Sequence, residues 1–394
     1  MLGAGVFVVW GPALRAAGEL IVLAVLIAGA VAAVNALSSA QLAARYPEAG
    51  GAYAYGRAEL GPRWGFAAGV AFVAGKTASV AAVAFAVGHY AWEAHPAAVA
   101  TVAIVASWMV NAQGVARTAG VATAIGGAVF VGLAGVALAV LRAGPPERPG
   151  TLLAEAAQTP RFGVLSAAAL VFFAFAGYAR IATLGEEVRK PATTIPLAIA
   201  LALASVGALY LVIAQAFRAT WSEPVLGVAG MPLRALASQV PGGSAVVSFL
   251  APVAALGALV ALMAGIGRTA MAMARNRDLP GVFAREDRAG VPWIAEGASA
   301  AVAIGLVWWG DLTFALATSA CSVLVYYAIA NLSAFRQSRA RRSVSWRVPP
   351  AVSAMGAASC LALAGALPLR AVLASGAALA VAVMARAIVR RVGA

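Results

Sequence analysis

Charge is scarce in this chain. Only 11% of its 394 residues are Asp, Glu, Lys or Arg, against roughly 25% in soluble domains. With 63% hydrophobic residues and a mean hydropathy of +0.90, this excludes a soluble globular domain, a disordered chain and a coiled coil. So apolar a polypeptide needs a bilayer as its solvent. Cysteine is rare as well, and Cys321 and Cys360 both lie in apolar runs, so no disulfide framework is implied. Histidine occurs twice, as His89 and His95 with Glu93 between them, and no Cys, His, Asp or Glu set has metal-ligand or triad spacing. An intramembrane enzyme would have almost no raw material. No Gly-x-x-x-x-Gly-Lys-Ser/Thr sequence is present, so nucleotide hydrolysis is not expected, and neither a metal nor a cofactor is needed.

What the chain has is a series of apolar runs. A helix needs roughly 20 apolar residues to cross about 30 Å of hydrocarbon. Cutting at charge, Pro and Gly predicts twelve spans, at about 1–14, 20–42, 65–90, 97–114, 119–141, 163–185, 194–217, 245–275, 292–310, 312–335, 349–367 and 370–389. No stretch alternates with period two as a membrane barrel would. The expected class is therefore an all-α integral membrane protein.

The formal net charge of +14 invites a nucleic-acid reading, but the basic residues sit in short loops between apolar runs. That is the footprint of membrane topology, so no nucleic-acid partner is expected. Of the 28 Lys and Arg, 18 fall on the side holding the loops after spans 2, 4, 6, 8 and 10 and the C-terminus. Seven fall on the other side, and Lys76, Arg180 and Arg268 lie inside spans. The richer side is predicted to be cytoplasmic, which makes this a multi-pass protein of the cytoplasmic membrane with its C-terminus inside. No cleavable signal is read at the start, because no basic segment precedes the first apolar run.

Two spans are interrupted by small, helix-weakening residues. Span 1 carries Gly3-Ala4-Gly5-Val6-Phe7, and span 6 carries Phe172-Phe173-Ala174-Phe175-Ala176-Gly177. They lie five spans apart, and because five is odd, two five-span units must have opposite orientation, the inverted-repeat plan of secondary transporters. A broken helix frees N–H groups at a positive terminus and C=O groups at a negative one, poles that suit a zwitterion. The bland alternative is that Gly3 and Gly5 only allow close packing.

Five motifs in order carry a resemblance. Gly-Ala-Gly-Val-Phe at 3–7, Tyr-Pro-Glu-Ala-Gly-Gly-Ala-Tyr-Ala-Tyr at 46–55 with Gly61 and Gly65-Phe66, and Phe-Phe-Ala-Phe-Ala-Gly-Tyr at 172–178 come first. Gly-Glu-Glu-Val-Arg-Lys-Pro at 185–191 with Ile195-Pro196, and Arg-Thr-Ala-Met-Ala-Met-Ala-Arg at 268–275, follow. The chain thus resembles the amino acid–polyamine–organocation permeases over residues 1 to about 336. The resemblance implies a leucine-transporter-like fold of two inverted five-helix repeats, 1–142 and 163–336, with two further helices in 349–391. It also implies alternating-access transport of amino acids or related amines.

Carried over, the resemblance assigns the substrate site to Gly3, Ala4, Gly5 and Val6 of span 1 and to Phe172, Phe173, Ala174, Phe175, Ala176 and Gly177 of span 6. The N–H groups of Gly3, Ala4 and Gly5 would receive the carboxylate, and carbonyls of Phe172 to Ala176 the amine. Phe173 would be an aromatic lid, while Ala174 and Ala176 would shape the side-chain pocket. Members of the family have ten or more residues before the Gly-x-Gly, whereas here only Met1 and Leu2 precede it. Either the true start lies upstream or the first span lacks its N-terminal half.

Lys76 lies about ten residues into span 3, about 15 Å along the axis, too deep to snorkel comfortably. It should face the bundle interior, where it can exchange a proton or take the place of a coupling cation. Family members often carry such a lysine in span 5, which has none here. The alternative is a structural lysine on carbonyls of an unwound helix. Arg180 is a candidate gate, paired with substrate or with Glu186 or Glu187, or else a snorkelling residue. Met263 and Tyr326, with Tyr327, are candidate cavity residues that would otherwise be core. Arg268 and Glu296 would pair or be solvated helix ends. With Lys76 and Arg180 near the site and no acid there, a neutral amino acid is the expected substrate, with the proton as coupling ion and sodium as the alternative. Residues 231–240, set among prolines, suggest a short external lid helix. The arginine run at 336–347 could touch anionic lipid, though topology alone explains it.

Overall fold

A computed structural model describes residues 3–46, 50–113, 119–144, 163–178, 191–220, 231–287, 290–340 and 347–392. Among them the regular structure is entirely helical. A short helix α1 (Gly5–Val8) runs through Val9 into α2 (Trp10–Ala17), which ends at Gly18. Then come α3 (Ile21–Arg45), α4 (Ala52–Glu59), α5 (Pro62–Ala91), α6 (Pro96–Ala112), α7 (Ala119–Ala143) and α8 (Gly163–Phe175). They are followed by α9 (Pro191–Thr220), α10 (Pro232–Ala237), α11 (Gly243–Arg275) and α12 (Trp293–Trp309). The chain closes with α13 (Leu312–Arg339), α14 (Pro350–Gly365) and α15 (Leu369–Val392).

Among the described residues, seven helical stretches are long and apolar enough to cross a membrane, and α6, α8, α12 and α14 are shorter apolar helices. Most of the predicted spans find a helix with edges shifted by a few residues; the first is divided between α1 and α2, and of the sixth only the part up to Tyr178 lies among the described residues. Helix α5, at 30 residues, is roughly 45 Å long at 1.5 Å per residue and overshoots the hydrocarbon unless it tilts. Helices α5 and α13 are mostly enclosed and pack along each other at the centre of the bundle, while α15 is largely uncovered. A lipid-facing helix can stay apolar without a protein partner, which is why burial varies so much among equally apolar helices.

Turn chemistry sets the one helix that hydropathy did not predict. Gly51 and Gly61 hold φ of 54° and 105°, a region that favours glycine, and Pro62 starts α5 where a missing N–H costs nothing. Between them, α4 is too short and too polar to span. The short helix expected within 231–240 is present as α10, with Pro232, Leu233, Leu236 and Ala237 buried.

A ladder of polar side chains joins α3, α13 and α14. Asn331 Nδ2 donates to Asn35 Oδ1 at 2.6 Å, and Cys360 Sγ donates to the same oxygen at 3.2 Å. Further along, Gln41 Nε2 donates to Gln337 Oε1 at 2.6 Å and to Ser338 Oγ at 3.1 Å, while its Oε1 accepts from the Val348 N–H at 2.6 Å. Water cannot replace these partners in an apolar interior, so each group left unmatched costs about 1–3 kcal/mol. Gln41→Leu, which strips partners from Gln337 and Val348, should lower the detergent-solubilised melting temperature by several degrees. An unchanged melting curve would show that the ladder carries no stability.

Candidate functional site

The two interrupted segments meet. Helix α8 stops at Phe175 and tightens into a 3-10 turn over Ala176–Tyr178, while the first helix begins only at Gly5. The N–H groups that head α1 and the carbonyls that end α8 are the groups a helix cannot satisfy internally. A Cβ added at Gly5 would sit 3.0 Å from Ala174 Cα, 3.3 Å from Ala174 Cβ and 3.4 Å from Phe173 Cδ1. The absence of a side chain at Gly5 is therefore what lets the two backbones approach, with a positive helix pole beside a negative one. Close packing at Gly5 is thus present.

Around the junction the residues predicted from sequence are mostly enclosed. Ala4, Val6, Phe172, Ala174, Phe175 and Ala176 are buried, Gly3, Gly5 and Phe173 are half-buried, and Gly177 is exposed. The Phe172 ring meets Tyr327 edge-on at 5.7 Å, Tyr327 meets Tyr326 at 5.2 Å, and Tyr326 meets Phe72 at 5.3 Å. Lys76 Nζ lies 6.0 Å from the Phe72 ring centroid, within cation–π reach. A continuous chain of rings thus links Lys76 on α5 to the end of α8. Lys76 makes no ion pair or hydrogen bond among the described residues, and it sits midway along α5, about 21 Å from Pro62. Met263 is fully buried on α11, within the main core. Arg180, Glu186 and Glu187 lie outside the described residues.

Two polar placements were not foreseen. The Tyr210 hydroxyl, on α9, donates to the Ala174 carbonyl at 3.2 Å, and its ring stacks edge-on against Phe175 at 4.9 Å and Trp10 at 6.2 Å. A lone tyrosine in an apolar span gives no spacing signal, so only the tertiary contact reveals it. Glu296 corrects an expectation: it is only 1% exposed, which rules out a solvated helix end, and it forms no salt bridge with Arg268. Asn111 Nδ2 donates to Glu296 Oε2 at 3.0 Å and to the Val260 carbonyl at 3.0 Å. Arg268 instead points outward. A cavity of about 610 Å³ lies between α3 and α9, lined by Gly29, Ala33, Phe175, Leu203 and Gly207 among others. Its walls are hydrocarbon, so it touches the junction only through Phe175.

A family profile described as amino acid permease matches residues 1–388. The chain belongs to the amino acid permease family. An uncharacterized transporter of Mycobacterium tuberculosis is 45% identical to the permease over 393 residues, covering 98% of this chain and 87% of the relative. Cationic amino acid transporter 7, chloroplastic, of Arabidopsis thaliana is 28% identical over 372 residues, covering 86% of the permease and 63% of the relative. The methylthioribose transporter of Bacillus subtilis is 25% identical over 401 residues, 93% and 85% of the two chains. Family and helices together make the permease a multi-pass membrane transporter.

Proposed function

We propose that the permease carries neutral amino acids across the cytoplasmic membrane by alternating access, coupled to protons. The observation that carries the reading is the contact of Gly5 with Ala174, which brings an N–H-rich helix start against a carbonyl-rich helix end. Such a pair of poles binds a carboxylate and an ammonium at once, with the N–H groups of Gly3, Ala4, Gly5 and Val6 at one end and carbonyls of Phe172 to Ala176 at the other. In this reading Phe173 is the lid, Ala174 and Ala176 leave room for a side chain of moderate size, and Gly177 lets the chain leave the helix. Tyr326 belongs to the ring chain that leads to the junction, Met263 is core, and Arg180 serves the gate.

The architecture proposed with it has twelve spans, in which 1–142 and 163–336 form inverted five-helix repeats and 349–391 adds two helices. The charge distribution supports a cytoplasmic C-terminus. Lys76, uncompensated by any ion pair among the described residues, supports both proton coupling and the exclusion of cationic substrates. The names of the Arabidopsis relatives favour a second reading, cationic amino acids, and sodium remains the competing coupling ion.

Uptake by proteoliposomes separates these. Accumulation of radiolabelled alanine or leucine, stimulated by an inward proton gradient and indifferent to sodium, is the expected result; accumulation of arginine or lysine alone would overturn the substrate class. Tyr210→Phe removes one hydrogen bond to the Ala174 carbonyl, about 0.5–1.5 kcal/mol. It should raise KM roughly 2- to 10-fold while leaving expression and melting temperature close to wild type.

A further inference from the structure

At the end of the bundle that carries α4, three segments far apart in sequence converge on one carboxylate. Asp278, just past α11, is fully buried. Its Oδ2 takes Arg57 Nη1 at 2.8 Å and the Tyr53 hydroxyl at 3.0 Å, both from α4, and its Oδ1 takes Arg386 Nη2 at 2.8 Å from α15. The Arg386 guanidinium lies 4.4 Å from the Phe66 ring centroid and also donates to the Pro62 carbonyl at 3.4 Å. Beneath the charges Tyr53, Phe66, Val70 and Met273 form an apolar cluster separate from the main core, with Leu379 and Ala382 of α15 packed on it.

We propose that α15 is a latch on α4, closed by Arg386 and Arg57 sharing Asp278, and that it opens and recloses in each transport cycle. A carboxylate shared by two arginines suits this task because withdrawing Arg386 leaves Asp278 paired with Arg57, so α15 can leave without stranding a buried charge, and α4 is then held from one side fewer. The separate apolar patch means that this end can part without disturbing the central core. What the latch governs is also visible. The Ala52 N–H, at the start of α4, donates to the Tyr326 hydroxyl at 2.9 Å, and Tyr326 belongs to the ring chain between Lys76 and Phe172. Release of α4 at Asp278 is therefore felt at Tyr326. The consequence for turnover rests on the transport reading; the restraint of α4 by α15 does not.

Hydrogen–deuterium exchange of the full chain in detergent, without substrate, reads the restraint. Arg386→Met keeps the alkyl packing on Phe66 and removes the charge. Amides of residues 52–60 should then exchange at least 10-fold faster while peptides from the middle of α13 keep wild-type protection; unchanged exchange at 52–60 would overturn the latch. Should that variant not fold, Arg386→Lys carries the test, since it retains the charge but shortens the reach of Nη2 to Asp278 and Pro62 and loses the planar group over Phe66. A smaller acceleration in the same peptide is expected, and none would overturn the proposal. Counterflow of preloaded alanine then reads the cycle: a loosened α4 should lower turnover at least fivefold. Loosened amides with unchanged turnover would make the cluster a static brace and overturn the latch. A wild-type chain that moves no amino acid would instead sink the transport reading and leave the exchange result standing.

Discussion

Gly5→Val should cut amino acid uptake on the order of 100-fold while the protein still folds. Even the Cβ of an alanine at this position would come within 3.0 Å of the Ala174 backbone, and main-chain atoms cannot swing aside as a flexible side chain can. Valine adds two methyl groups to that clash, so α1 and α8 must separate by an ångström or so. Overpacking of this kind costs about 1–3 kcal/mol, which a large helical bundle can absorb. Function is less forgiving, because a displacement of about 1 Å costs on the order of 100-fold where groups must converge on one ligand. Uptake at fixed substrate should fall by about that factor. Gly135→Ala is the matched control: it lies on α7 with nothing within 4 Å of an added Cβ, and it should transport like wild type. If Gly5→Val transports normally, the α1–α8 junction is not the substrate site.

Lys76→Met should uncouple transport from the proton gradient. The substitution preserves most of the side-chain length and the contact with Phe72 while removing the only charge on the ring chain. Wild-type uptake should rise several-fold under an inward proton gradient; the variant should equilibrate substrate without accumulating it, at a rate indifferent to that gradient. Counterflow should persist, which distinguishes lost coupling from lost folding. A variant that still accumulates substrate with wild-type pH dependence would reduce Lys76 to a structural lysine and move the coupling group elsewhere.

Much of this was legible in one dimension. Membrane residence follows from the share of apolar side chains, and the helix positions follow from run length, since a span must satisfy its own backbone wherever lipid surrounds it. The interruptions at Gly3–Phe7 and Phe172–Gly177 were visible as small residues inside apolar runs. Their five-span separation suggested a pairing, and the structure brings Gly5 against Ala174. The family was legible too, because its motifs recur in order.

Other features left no linear trace. Helix α4 is too short and polar to register as a span, and only its flanking Gly51 and Gly61 hinted at a turn. Asp278, Arg57 and Arg386 read as ordinary loop and terminal charges, because a sorting of charges by side records which end of the bundle they occupy and not which carboxylate they share. Glu296 misled for the same reason. Its position near a helix start suggested solvent or Arg268, whereas packing of α6 and α11 enclosed it and supplied Asn111. Tyr210 and the amides of Asn35, Gln41 and Asn331 are single polar residues in apolar helices, and which helix answers each of them depends on rotation about the helix axis.

By itself the sequence determined the solvent, the placement of the long apolar helices, the family and the two interrupted segments, because each depends on composition, run length or spacing along one chain. Tertiary structure alone decided which helix faces touch. It placed Tyr210 on the Ala174 carbonyl, Lys76 at the end of a chain of rings, and Arg386 with Arg57 on Asp278. In a bilayer nearly every helix face is apolar, so the amphipathic stripe that betrays the inward face of a soluble helix is missing, and only close packing and polar partners select the orientation.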